Sequence, residues 1–280
     1  MRQAFTHGSP SLALTGFMGR IREYWLWSAV LAVAGVVFFG APGSYTGTSH
    51  AILHGLCAQT PSHTISFEGQ MLPFDARMTG IYGGFLITLG TIAASGKLFC
   101  FGNPPKRVIA VLAVLVGLMA VDGFNSLLTD LMLWHPYESG NGLRVATGYG
   151  TGVALAVALG WLLASSAWNL GSSSAAIGRL RDLVAPGVGL VAFGLVLIAS
   201  PGWLHFSVSM LLVLSAWTTV TMLMLVIVLL SLKLDSQVRQ FRHLHVPVAI
   251  SALLAVSVMI GLAGARFWAE RTFGISNAMM

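Results

Sequence analysis

The sequence predicts an all-α, polytopic integral membrane protein with about seven transmembrane helices. Apolar residues make up 56% of its 280 residues, and charged residues only 9%. The apolar residues recur in runs of bilayer-spanning length, for which a helix needs roughly 20 residues. Inside the bilayer every backbone amide and carbonyl must be bonded within the protein, so runs of this length form helices.

The runs define one helical membrane domain over residues 24–266, between an N-terminal segment (1–23) and a tail (267–280). The first run also has features of a secretory signal, but its apolar part is longer than a signal core, so we predict a retained span. The predicted spans are 24–41, 79–101, 107–133, 145–166, 183–200, 204–232 and 246–265.

The distribution of basic residues predicts that the N-terminus lies inside and the C-terminus outside. With this orientation, inner segments hold eleven of the fifteen Lys and Arg residues and outer segments hold four. Cytoplasmic loops carry such an excess. It also accounts for the net charge of +6, so we expect no nucleic-acid partner. The outer four are Arg77, Arg144, Arg266 and Arg271.

The longest connection is the outer loop 42–78. Loops of this length usually fold back on the protein or carry function. Within it we predict one short helix, Ser49–Ala58. The predicted topology puts Cys57 and Cys100 on opposite sides of the membrane, so we expect no disulfide between them.

Two outer segments have related sequences, Arg77-Met-Thr-Gly-Ile-Tyr-Gly-Gly and Arg144-Val-Ala-Thr-Gly-Tyr-Gly-Thr-Gly. Each contains glycines four residues apart, and in the second segment the row of small residues continues through Gly160. Such rows let helix backbones approach closely, so we predict tight helix packing here. The predicted packing glycines are Gly80, Gly84, Gly148, Gly152 and Gly160.

The same segments place an arginine at the start of each inward-running helix. Helix N-termini beside cations attract anions. Asp122, inside the third span, needs a partner because a charge at that depth is costly. We predict an internal network of Arg77, Arg144 and Asp122, with Asp130 as a further member. The alternative is an external anion, such as a lipid phosphate, at the two arginines.

Two weaker patterns concern metals and pigments. His50, His54 and Cys57 share one face of the predicted short helix, and His63 follows, a set that suits a transition metal. His135 and His205, near helix ends, are candidates for an axial ligand of haem or chlorophyll, which requires only one histidine. We expect neither a metal nor a tetrapyrrole, since helical spacing and single histidines also arise without a ligand.

Several separated motifs resemble the bacterial and archaeal membrane family catalogued as domain of unknown function 2085. The likeness covers about residues 50–160. The family pattern combines Cys-His-Gln-x-Pro, Cys-x-Arg-Cys-Thr-Gly-Ile-Tyr-x-Gly, Asp-Gly and Arg-x-x-Thr-Gly. The matching residues are Cys57, Gln59, Pro61, Gln70, Arg77, Thr79, Gly80, Ile81, Tyr82, Gly84, Asp122, Gly123, Arg144, Thr147 and Gly148.

The departures from that pattern affect its thiols and imidazole. Ala58 stands where the family has His, and Asp75 and Met78 stand where it has Cys. Metal and thiol chemistry need those side chains. The resemblance therefore implies that the packing framework is retained while any metal or redox step is lost.

These features predict a non-enzymatic subunit or scaffold within a larger membrane complex, with an energy-transducing complex as a plausible host. Its partners would be membrane lipids, including a bound lipid, and other membrane protein subunits. The first alternative is a binding or transport protein for an anionic or lipid-like ligand. The second is a metal- or cofactor-dependent membrane enzyme. The resemblance implies a bacterial or archaeal cytoplasmic membrane.

Overall fold

The computed structural model describes residues 25–38, 45–167, 173–232 and 244–274. Helices make up about three quarters of this part of the chain, and one small β-hairpin lies between α2 and α3. In chain order the elements are α1 (Trp25–Phe38), α2 (Tyr45–Leu53), β1 (Thr64–Phe67), β2 (Gln70–Asp75), α3 (Ala76–Ala94), α4 (Lys106–Asp130), α5 (Asn141–Ala167), α6 (Val184–Ala199), α7 (His205–Ser231) and α8 (His245–Phe273).

Five helical segments of the described residues are long and apolar enough to cross a membrane. They are α4, α5 and α8, together with α6 and α7 when each is extended by the helical turn that directly precedes it, from Leu180 and from Gly202. This confirms the predicted class, a helical membrane protein. Helix α1 is shorter within the described residues. Helix α3 has 19 residues, but its arginine, threonines and glycines reduce its mean hydropathy. It ends at Ala94, before the predicted 101, because Gly96 adopts a left-handed φ of 67°. Helix α8 continues to Phe273, through part of the segment that we predicted as a tail.

Contacts with the hairpin show which ends of the helices lie together. We call this the hairpin end of the bundle. Helices α3, α5 and α7 begin there; His205 of α7, for example, lies 3.0 Å from the Met71 carbonyl oxygen of β2. Helices α4, α6 and α8 finish there, with Arg266 of α8 bonded to the Cys57 carbonyl. Phe38, at the end of α1, belongs to the same apolar cluster as Phe67 of β1. The helices therefore alternate in direction along the chain.

The hairpin was not predicted from the sequence, and it adds two short strands to the predicted all-α architecture. Strands β1 and β2 pair antiparallel, with Phe67 opposite Gln70. Glu68 and Gly69 form the turn, both with positive φ (48° and 85°), as a type I′ turn requires. The side chains of Phe67, Leu72 and Phe74 are fully buried. The sequence signal was weak because two short strands in a loop of mixed polarity lack a long alternating pattern.

The short helix of the outer loop lies earlier than predicted. Helix α2 covers Tyr45–Leu53 rather than Ser49–Ala58. The chain then makes a turn in which the Leu56 and Cys57 amides both donate to the Leu53 carbonyl. Cys57 therefore lies outside the helix, so the proposed run of His50, His54 and Cys57 on one helical face is wrong.

Four glycines bring α3 and α5 together at the centre of the bundle. A Cβ on Gly80 or Gly84 of α3 would overlap the carbonyl oxygen of Val145 or Tyr149 in α5. Cβ atoms on Gly148 and Gly152 of α5 would reciprocally overlap the carbonyl oxygens of Arg77 and Ile81 in α3. Glycine on both helices is therefore what permits this separation.

Gly160 does not share this role. A Cβ at Gly160 would meet no atom within 4 Å, whereas Ala156, one turn earlier, is fully buried. The close approach of α3 and α5 thus ends before Gly160, and its assignment to the packing row is wrong.

Replacing Gly152 by Ala should lower the thermal unfolding temperature of the purified protein. The added methyl group would force α3 and α5 apart, and overpacking of this kind costs about 1–3 kcal/mol. Gly160→Ala, in the same helix, is the matched control. It should leave the unfolding temperature unchanged or slightly higher, because Ala favours helix over Gly by about 1 kcal/mol. Equal losses in both variants would contradict the packing assignment.

Candidate functional site

The candidate site is a buried polar cluster at the hairpin end, where α3, α4 and α5 meet. Asp122 lies in α4 and retains only 1% exposure. Arg77 lies at the start of α3, whose first turn is fixed because the Asp75 carboxylate accepts a hydrogen bond from the Met78 amide at 2.8 Å. The Arg77 Nη2 atom is 2.7 Å from Asp122 Oδ2. This ion pair joins α3 to α4.

The other oxygen of Asp122 binds the connection between α4 and α5. Ser139 Oγ donates to Asp122 Oδ1 at 2.7 Å, and the Tyr137 hydroxyl donates to the same atom at 3.2 Å. Thr147 Oγ1 of α5 lies 3.4 Å from Oδ2. One carboxylate therefore holds side chains from α3, α5 and the α4–α5 connection. We call these residues, together with Ser126 and Arg144, the Asp122 cluster.

Ser126 connects the two arginines. Its Oγ accepts from Arg77 Nη2 at 3.0 Å and from Arg144 Nε at 3.4 Å, and it donates to Ser139 Oγ at 3.1 Å. Ser126 follows Asp122 by one helical turn, so both project from the same face of α4. This spacing of four residues is the sequence signal that identifies Ser126 as a neighbour of Asp122. Tyr137 and Ser139 lie in an irregular connection, where no periodic pattern points to them.

Arg144 enters the cluster through neutral partners rather than through Asp122. It is 6% exposed, and its Nη1 atom donates to Asn141 Oδ1 at 3.2 Å. Among the described residues no salt bridge to Arg144 occurs within 4.0 Å. The Nε atom of Arg77 is also buried, and it has no hydrogen-bond partner among the residues that the structure describes.

Asp130 does not belong to the cluster, contrary to prediction. It lies about 12 Å further along α4 at the usual helical rise. Its carboxylate is half exposed and lies 3.5 Å from His63 Nε2. Burial lowers the pKa of His63 below its ordinary value of 6.5, the positive charge of Arg144 lowers it further, and Asp130 opposes both effects.

The four proposed metal ligands make separate contacts. His50 Nε2 lies 3.4 Å from the Met71 carbonyl, and His63 contacts Asp130. Cys57 Sγ accepts hydrogen bonds from the amides of Gln59 and Asp75 at 3.4 and 3.3 Å. Burial, reinforced by the negative charge of Asp75, raises the pKa of Cys57 to about 12. Over the described residues, no group of three or more His, Cys, Asp or Glu side chains converges as a metal site.

His54 instead connects the outer loop to the end of α8. Its Nε2 atom is 2.9 Å from both carboxylate oxygens of Glu270, and its Nδ1 atom is 3.2 Å from Gln59 Oε1. Gln59 Nε2 donates to two carbonyl oxygens, so its Oε1 is the acceptor. Both ring nitrogens of His54 thus face acceptor oxygens.

Arg266 completes this contact between the loop and α8. It donates to the carbonyl oxygens of His54 and Cys57 at 2.8 and 2.6 Å, and to Glu270 at 2.9 Å. No local sequence pattern indicates that α8 contacts this loop, because the two are separated by more than two hundred residues.

The two proposed pigment ligands also contact protein oxygens. His205 Nε2 lies 3.0 Å from the Met71 carbonyl. His135 Nδ1 and Nε2 lie 3.0 Å from the Leu133 carbonyl and from Glu138. The hydrogen bond to Glu138 raises the pKa of His135. Both ring nitrogens of His135 and the Nε2 atom of His205 therefore already face protein oxygens.

The fold and this cluster define a multi-pass helical membrane protein with a buried ionic centre. The family model described as "Predicted membrane protein (DUF2085)" matches residues 57–158. An uncharacterized protein of Methanothermobacter thermautotrophicus is 35% identical over 102 residues, which cover 36% of this chain and 82% of that relative. The chain belongs to this family. No solved structure matches it. The matched region contains the whole Asp122 cluster, whereas α6, α7 and α8 lie outside it.

Asp122→Asn should lower the unfolding temperature strongly. It leaves the Arg77 charge in a buried position without its counter-charge, and breaking a buried pair costs about 3–5 kcal/mol. Asp130→Asn removes a half-exposed carboxylate and is the control, with an expected cost of about 0–1 kcal/mol. The ion pair would not be structural if both variants unfolded at the wild-type temperature.

His63→Gln should reduce the loss of stability on acidification. Because the pKa of His63 is lowered in the folded protein, its imidazole binds a proton more tightly in the unfolded chain than in the folded one. The stability that neutral His63 contributes is therefore present above pH 6.5 and is lost as the pH falls below it. Unfolding temperatures at about pH 7 and pH 5 measure this slope.

His135→Gln is the control of opposite sign. Because the pKa of His135 is raised, its contribution is present below pH 6.5 and is lost as the pH rises through the folded-state value. A wild-type pH slope in His63→Gln would show that His63 does not lie in a desolvated, positive environment.

Proposed function

We propose that this protein is a non-enzymatic subunit or scaffold of a larger membrane complex. It crosses a bacterial or archaeal cytoplasmic membrane seven times, with α1 and α3 to α8 as the spans. The N-terminus lies inside and the hairpin end faces outward. The alternating helix directions support this topology, and so does the excess of Lys and Arg in the segments at the opposite end.

The observation that carries the proposal is that hydrogen bonds within the protein engage both carboxylate oxygens of Asp122. A carboxylate that acts as an acid or base must be able to reach a substrate proton. The two oxygens of Asp122 are bonded to Arg77, Ser139 and Tyr137, and its side chain is 1% exposed. These contacts hold three parts of the chain together. They support a structural role for the most deeply buried charge of the described residues.

The lost thiol positions support the same role. Asp75, which stands where the family pattern has cysteine, caps α3 and donates its amide to Cys57 Sγ. Cys57 keeps its proton at neutral pH, because its pKa is raised to about 12. This favours the thiol over the thiolate, which is the form that acts as a nucleophile.

Helices α4 and α6 provide the surface for partners. In the most apolar 18 residues of α4 only 22% are buried within the protein, and in those of the span that contains α6 only 11%. Large apolar side chains such as Val114 and Val191 are more than half exposed on them. Lipid or the helices of another subunit would cover these faces.

A second candidate function is the binding or transport of an anion. The observation that favours it is Arg144, a buried guanidinium bonded to the neutral oxygens of Ser126 and Asn141. Arginine remains charged at any physiological pH. A phosphate or carboxylate at the start of α5 would supply the missing counter-charge.

Purification of the tagged full-length protein in mild detergent, followed by native mass spectrometry, tests the two functions together. We expect a membrane partner in fixed stoichiometry. Val191→Trp on α6 and Val114→Trp on α4 each place a large side chain on one exposed helix face. If the partner subunit binds one of these faces, it should be lost from the variant that carries tryptophan there.

A protein that purifies alone with a bound anion, and loses that anion in Arg144→Gln, would contradict the subunit and support the carrier. Loss of the partner from neither tryptophan variant would exclude both helices as the interface.

A further inference from the structure

An apolar cavity of about 420 Å³ lies between the helices at the end of the bundle opposite the hairpin. Its position follows from the chain ends that surround it. Trp27 lies in the first turn of α1, Ala164 in the last turn of α5 and Val248 in the first turn of α8. Leu98 follows the end of α3, and the middle of α7 forms the inner wall.

The walls of the cavity suit hydrocarbon. No charged side chain lines it, and the polar side-chain groups are the hydroxyls of Thr218 and Thr221 and the indoles of Trp27 and Trp217. The Trp217 indole N–H already donates to the Ala252 carbonyl oxygen at 3.1 Å. The volume lies within the range of ligand sites, about 300–1,000 Å³. Water gains too few hydrogen bonds to fill an apolar space of this kind.

In the sequence, the segments at this end of the bundle are rich in Lys and Arg. Lys97 directly precedes Leu98 in the wall, and its ammonium group lies 3.4 Å from Asp182. In the sequence, the connection between α7 and α8 adds Lys233, Arg239 and Arg242 before Leu244, which also lines the cavity. Basic residues beside the inner membrane surface attract anionic lipid head groups.

We propose that this cavity binds one acyl chain of an anionic phospholipid, whose head group lies at the inner membrane surface. This acyl chain enters between the helices of the bundle, whereas other lipids cover the exposed faces of α4 and α6. The proposal rests on the proposed orientation of the helices. It does not depend on a partner subunit.

Photo-crosslinking tests the proposal on the purified full-length protein in phosphatidylcholine vesicles. The probe is a phosphatidylglycerol that carries a diazirine on one acyl chain, and peptide mass spectrometry locates the adducts. We expect adducts on residues 218–225 and 244–252, which line the cavity. The same probe with a phosphatidylcholine head group should give a lower yield at these positions.

Two variants fill the cavity and should abolish these adducts. Ala164→Phe places a ring on the α5 wall, and Val248→Phe does so on the half-buried α8 wall, which tolerates the larger side chain more easily. Ala120→Phe, on the exposed face of α4, is the matched control and should retain the adducts. The unfolding temperature of each variant shows that it is folded.

Adducts confined to α4 and α6, or wild-type yields in both folded cavity variants, would overturn the proposal. Equal yields from the two head groups would overturn the anionic specificity. The vesicles contain no other protein, so none of these results depends on whether the protein is a subunit of a larger complex.

Discussion

The ion pair between Arg77 and Asp122 is the interaction on which the hairpin end depends. A carboxylate removed from water needs both a counter-charge and hydrogen-bond donors, and here they come from different elements. Arg77 supplies the charge from α3, and Ser139 and Tyr137 supply donors from the α4–α5 connection. Removal of any one of these side chains leaves a buried polar group with one partner fewer. This constraint fixes three parts of the chain relative to one another.

The glycine contacts place the start of α3 where this pair can form. Gly148 of α5 lies against the Arg77 carbonyl, so the backbone that carries the arginine is held directly on α5. The two Arg and Thr-Gly segments therefore have one combined role. Their glycines bring α3 and α5 together, and their arginines meet at Ser126 of α4. Packing and electrostatics act on the same few residues.

The sequence predicted the helices and the residues of the cluster better than it predicted how they connect. Hydropathy and length locate the spans because the bilayer imposes both. Asp122 was a clear candidate because buried charges are rare in such a chain. Asp130 was misplaced because it lies two helical turns beyond Asp122, at the end of α4, where its partner is His63. The hairpin and the contact between His54 and Glu270 involve irregular or distant segments, for which no periodic signal exists.

A double-mutant cycle tests the central claim most directly. The unfolding free energies of wild type, Arg77→Gln, Asp122→Asn and the double variant give the coupling energy of the two side chains. A buried, hydrogen-bonded pair should show a coupling energy of about 1 kcal/mol or more. The double variant should then lose less unfolding free energy than the sum of the losses in the two single variants. Additive losses would show that Arg77 and Asp122 do not stabilise each other, and would contradict the account.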